Sequence, residues 1–192
     1  MNAIITDMCA RVFPVTVAAT DSDAAIREIA YQHRDILGHC GMPSSCTSEH
    51  FLDDLRGMEP QWQENIRIQT WWATLGPWES DDRMARALIA DPSRATAPFT
   101  GVFLNVCAEQ LAFPCRSLES EQLAEDVYGR IRDGLTDFTQ ETTERFSRDW
   151  VDGQRMRMPP LSDVIPGLKY CEWAASEDDD FGQLRLYLFD NA

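Results

Sequence analysis

"PQWQENIRIQTWWATL", residues 60–75, decides how the middle of this chain is read. Pro60 suits the first turn of a helix, where an absent N–H costs nothing. "GP" at 76–77 is a stop signal. Between them, Ile68, Trp72 and Leu75 recur at helical spacing and share one face. The spacing predicts a helix over 60–75, then a second over 79–90 closed by "DP". Trp62, Trp71, Trp72 and Trp78 crowd into this region. Trp72 falls on the apolar face and reads as core, because large aromatics dominate buried area. Trp71 and Trp78 are left over and become candidate anchors for a protein interface.

On the N-terminal side, "RVFPVTVAA" (11–19) is β-branched and reads as a strand, with Pro14 suggesting an edge or bulge. "DSDAAIREIAYQHRDILG" (21–38) reads as a helix capped by Asp21 or Ser22 and stopped at Gly38. Ile26, Ile29, Ala30, His33 and Leu37 form its apolar face. Ser48 opens a short helix that Gly57 ends. On the C-terminal side, "FTGVFLNVCAEQLAF" (99–113) looks like strand in its first half and helix in its second. Ser117 or Ser120 then opens the longest helix, to about Trp150, with Leu123, Val127, Ile131 and Leu135 in its stripe. "MPPLSDVIPG" (158–167) is a proline-rich connector. "LKYCEWAA" and "LRLYLF" make a hairpin, in which Leu184, Leu186 and Leu188 alternate with other residues. No internal repeat or domain boundary stands out. The expectation is a single compact α+β domain over residues 1–192, with a helical central region, an N-terminal strand and a C-terminal β-hairpin.

The net charge is −15, and the bases are sixteen Arg against one Lys, Lys169. Such a field excludes binding nucleic acid or anionic membrane through a basic face, and it suits a basic protein partner. The Arg bias points to a GC-rich bacterial or phage source. No apolar run approaches the roughly 20 residues of a membrane span. The start has Asp7 and no basic leader, so a cytoplasmic location is expected. There, Cys9, Cys40, Cys46, Cys107, Cys115 and Cys171 stay reduced thiols.

"HRDILGHCGMPSSCTSEH" (33–50) holds every histidine and two cysteines. His33, Cys40, Cys46 and His50 are the candidate ligand set, and zinc is the ion for Cys and His donors. The spacing matches no familiar zinc motif. Cys46 also stands just before an expected helix start, where thiolate is favoured, so it is the candidate nucleophile. Among acids, Asp126, Asp133, Asp137 and Glu144 line one stripe of the long helix and could mimic a row of phosphates, although Arg130, Arg145 and Arg148 offset nearby acids. Glu177, Asp178, Asp179 and Asp180 have no such offset. No P-loop, GxGxxG, HExxH or GxSxG is present. The function expected is an acidic inhibitor or immunity-type factor, bacterial or phage-encoded. It would occupy a basic, nucleic-acid-binding surface of a partner through Trp71, Trp78, Asp133, Asp137 and residues 177–180. The alternative is a small zinc- or thiol-dependent enzyme centred on 33–50.

Overall fold

Within the stretch 60–74, residues 61–63 and 66–74 are strands, not a helix. In the computed structural model, β3 (Gln61–Gln63) and β4 (Ile66–Thr74) form a hairpin, and β4 runs antiparallel to β5 (Asp82–Ala90) for nine residue pairs. The structure describes residues 1–9, 11–47, 59–74, 82–105, 110–134, 158–174 and 183–192. The helical spacing of Ile68, Trp72 and Leu75 is coincidental. The deciding pattern has period two: Ile66 and Ile68 take one face, and Arg67, Gln69 and Trp71 take the other. Both faces are buried over residues 65–69, so polar side chains sit inside and mask the alternation. The turn puts Glu64 at φ 51°, the left-handed region, without the Asn-Gly signature that usually marks a tight hairpin.

Two compact units divide the chain, Met1–Pro92 and Ser93–Ala192. The first adds β1 (Asn2–Asp7), β2 (Val12–Thr16), α1 (Ser22–Gln32) and α2 (Arg34–His39). The second contains β6 (Phe99–Asn105), β7 (Gln110–Cys115), α3 (Ser120–Gly134), β8 (Ser162–Ile165), β9 (Leu168–Ala174) and β10 (Gln183–Asp190). The expected helical central region is therefore corrected. Residues 82–90 and 110–113 are strand, and so is part of the proline-rich stretch 158–167. Two antiparallel five-stranded sheets dominate the fold. The C-terminal hairpin is present as β9 and β10. The long helix is described to Gly134, and its expected continuation to Trp150 lies outside the described residues, as does the helix expected over 48–57.

The sheets have the same wiring. Their strand orders are β2-β1-β5-β4-β3 and β7-β6-β10-β9-β8, with the first helix entering after the second strand in both. An internal repeat shows in two places. Phe13-Pro14 of β2 matches Phe113-Pro114 of β7, and Asp21-Ser22-Asp23 before α1 matches Glu119-Ser120-Glu121 before α3. The helix starts agree in detail: Ala25 N–H donates to Asp21 O at 3.0 Å, and Leu123 N–H to Glu119 O at 2.8 Å. Counted across the ladders from each Phe-Pro, Val15, Ala3, Ile89 and Arg67 correspond to Cys115, Phe99, Asp190 and Gly167. The β3–β4 hairpin reaches two residues further than its counterpart.

Each helix buries one sheet face. Ala25, Ile26 and Ile29 of α1 cluster with Ile5, Trp71 and Ile89, and Leu123 and Val127 of α3 cluster with Phe103, Phe113 and Leu186. The other faces are buried too, through Ile4, Ile66 and Leu88 in one sheet and Val102, Leu168 and Phe189 in the other. Edges are guarded in both units. Pro14 and Pro114 remove donors from β2 and β7, and the opposite edges, β3 and β8, are only three and four residues long.

Candidate functional site

The histidine- and cysteine-rich stretch meets the β1–β2 turn at a carboxylate clasp. Asp7 is 3% exposed. Its Oδ1 accepts the backbone N–H groups of Cys9 and Arg11, both at 3.0 Å, and its Oδ2 accepts Arg11 Nε at 2.6 Å. Arg11 Nη2 also donates to His39 O at 2.9 Å, tying the turn to the end of α2. The Asp7 hydrogen bond and charge raise the Arg11 pKa further. His39 is exposed, and its Nδ1–H donates to Asp35 O at 2.6 Å, because a carbonyl can only accept. These bonds give the corner a structural task.

Cys40 is buried beside this clasp. Burial, then the Asp7 charge, pushes its thiol up to about 11, against a smaller downward pull from Arg11. Burial likewise pushes Cys115 to about 11 and Cys171 to about 12. Such groups are neutral at pH 7 and behave as apolar packing rather than as nucleophiles. Cys9 is the exposed free thiol among the described residues. Cys46 lies in the 3₁₀ turn Ser44–Thr47, and its side chain lies outside the described residues, as does His50. His33, half-buried between α1 and α2, turns a buried Nε2 inward without a hydrogen-bond partner. Among the described residues, no three His, Cys, Asp or Glu side chains gather to hold a metal. The structure thus does not bring the sequence-derived ligand set together within what it describes.

The tryptophan assignment reverses. Trp71 is fully buried in the first core and is not a surface anchor, whereas Trp72 is 58% exposed. Period two explains this: neighbours on a strand point to opposite faces, so reading a helix there swapped them. Trp78, Asp137 and residues 177–180 lie outside the described residues, and Asp133 is described only in its backbone. Asp126, from the acidic stripe, is engaged by Arg116, whose Nε donates at 2.7 Å and whose backbone N–H donates at 2.8 Å. The stripe is therefore partly neutralised from within.

Two features escaped the sequence. One is a cross-strand cluster on the face of the second sheet away from α3. The Tyr170 and Tyr187 rings lie 5.2 Å apart, the Tyr170 hydroxyl donates to Glu172, and Arg185 Nε stands 3.5 Å from Glu172. Burial pushes Tyr187 up to about 12 and raises Tyr170 also, so both stay protonated donors at neutral pH. The spacing 170/172 facing 185/187 is the signal that could have found it.

The other is a cleft of about 280 Å³ at a corner of the second sheet, floored by Phe99, Leu118 and Leu188 and rimmed by Asp163, Lys169 and Asp190. Lys169 Nζ lies 2.5 Å from Asp163, and Asp190 Oδ1 accepts the Ala192 N–H at 3.0 Å. The corresponding corner of the first unit is filled. Arg67, with a side chain 6% exposed, lies over the Trp62 ring at 5.8 Å and reaches Asp23 Oδ1 at 3.4 Å from Nη2. Its Nε and Nη1 are buried without partners, and burial lowers its pKa. No helix among the described residues is long and apolar enough to cross a membrane. Comparison with protein-family models, curated sequences and solved structures gives no match.

Proposed function

We propose that this chain is an acidic protein-binding factor, an inhibitor or immunity-type protein of bacterial or phage origin, that occupies a basic surface of a partner in the cytoplasm. One observation carries the reading. The charge of −15 is spread over both units, with fourteen acids against seven bases in Met1–Pro92 and eighteen against ten in Ser93–Ala192. Neither half is a neutral scaffold with an acidic appendage. A field of this kind steers a basic surface into contact and repels nucleic acid. If the partner's surface normally binds nucleic acid, the chain competes with phosphates for it.

The guarded sheet edges favour docking through side chains over strand addition. With Trp71 in the core, the exposed aromatics Trp72 and Tyr31, 58% and 48% exposed, become the anchor candidates. The test is capture from a native-host extract at low salt, identification of the protein retained, and kinetics with that protein purified. The reading expects one specific basic partner whose association slows as salt rises, and no detectable binding of DNA or RNA at physiological salt. A partner that is not basic, or direct nucleic-acid binding, would overturn it.

A further inference from the structure

We propose that the cleft beside Phe99, Leu118 and Leu188 receives an arginine side chain from the partner; the inference rests on the basic-partner reading and names how that partner is gripped. The repeat places this cleft where the first unit holds an arginine of its own. In the first unit, Arg67 rises from β4 and fills the corner beneath the start of α1 with its own guanidinium, placed between an aromatic ring, Trp62, and a carboxylate, Asp23. In the second unit, the same ladder position is Gly167, at φ 78°, which brings no side chain. The cleft lies there.

The surroundings keep the chemistry that holds Arg67. Phe99 supplies an aromatic floor, and Leu118 and Leu188 supply an apolar wall suited to an arginine stem. Glu121 occupies the helix position of Asp23 and is exposed. Asp190 replaces the fully buried Ile89 of the first unit, adding a carboxylate. Among the described residues Lys169 is the one base on the rim, and it is already paired with Asp163. The rim as a whole is net negative. A volume of about 280 Å³ falls just below the usual range for small-molecule pockets, roughly 300–1,000 Å³, and suits a single side chain. A planar guanidinium can stack on an aromatic face while donating to a carboxylate, which an ammonium does less well.

The experiment is an NMR titration of the full-length protein with N-acetyl-arginine amide, N-acetyl-lysine amide, N-acetyl-norleucine amide and N-acetyl-glutamate. The expected result is millimolar binding of the arginine probe with shifts at Phe99, Leu118, Gly167 and Leu188. The lysine probe should bind at least about threefold more weakly. The norleucine and glutamate probes should bind at least about tenfold more weakly, since they lack the cation. Asp190→Asn should weaken the arginine probe about fivefold and leave norleucine unchanged, with Asp163→Asn as a second variant should the first fold poorly. Equal binding of norleucine would reduce the cleft to an apolar groove, preferred binding of glutamate would make it a Lys169 anion site, and either would overturn the proposal. So would absence of binding. If the arginine probe fails while a basic partner still associates in a salt-dependent way, this inference falls and the proposed function stands. If the probe binds but no basic partner exists, the reverse holds.

Discussion

The two units share one wiring and differ in what they place at matching positions. Where the first has Ile5 opposite Phe13, the second has Gly101 opposite Phe113. Where the first has Trp71, the second has Cys171 at the same ladder position. Where the first fills a corner with Arg67, the second has Gly167 and a cleft. Strand order and edge protection are thus held by few residues, among them the Phe-Pro pairs and the acid-Ser-acid helix starts. The layer between sheet and helix is free to vary in volume and polarity, and that freedom is where a binding corner can arise.

The largest expected effect comes from Trp71. Trp71→Ala should cost about 3–5 kcal/mol, as for a fully buried aromatic, whereas Trp72→Ala, at a position 58% exposed, should cost about 1 kcal/mol. Urea melts of the two variants check this. Equal costs would break the strand assignment of residues 66–74, on which the matching of the two units depends. Gly101→Ala should come next, at about 1–3 kcal/mol, because an added Cβ would stand 2.3 Å from the Phe113 ring. The ring lies over the glycine and stacks on Phe103 at a 5.1 Å centroid distance. Unchanged stability in the Gly101→Ala melt would contradict that packing.

A smaller effect separates the helix starts. Asp21 Oδ1 accepts the Ala24 N–H at 2.8 Å, so Asp21→Ala should cost about 1 kcal/mol. Glu119, in the equivalent place, is one methylene longer and a poorer cap, so Glu119→Ala should change less in a parallel melt. The pH dependence should be gentler still near neutrality. Cys40, Cys115 and Cys171 have folded pKa values of about 11, 11 and 12, above the ordinary 9.0. Thiols raised in the fold contribute stability that is complete below about pH 9 and is lost as pH climbs toward 11–12. Denaturant midpoints should therefore hold steady up to about pH 9 and fall above it. A midpoint that rises over that window would contradict burial of these thiols.

Sequence patterns carried part of this architecture. The alternation of Leu184, Leu186 and Leu188 marked β10, Asp21 or Ser22 marked the start of α1, and Pro14 marked β2 as an edge or a bulge, of which the structure shows Asp21 as the cap and β2 as an edge. Residues 60–90 misled because Arg67 and Gln69 are buried polar residues, 5% and 8% exposed, and spoil the apolar–polar alternation. The chance spacing of Ile68, Trp72 and Leu75 then supplied a helical face. The repeat stayed hidden because its anchors are a dipeptide and a tripeptide, eight residues apart from Pro14 to Ser22 but six from Pro114 to Ser120. Of the candidate site, Cys40 reads from the sequence as a metal ligand, whereas the structure buries its thiol in the first core. The clasp of Asp7 on Arg11 and the cleft could not be read, since one depends on a turn meeting α2 and the other on a glycine standing where its counterpart is arginine.

If distributed negative charge recruits a basic protein, salt is the variable that exposes it. Association of the purified partner should be followed by stopped flow from about 50 to about 500 mM salt. The on-rate should fall at least about tenfold over that range while the off-rate changes little, as electrostatic steering requires. An on-rate that does not respond to salt would contradict it.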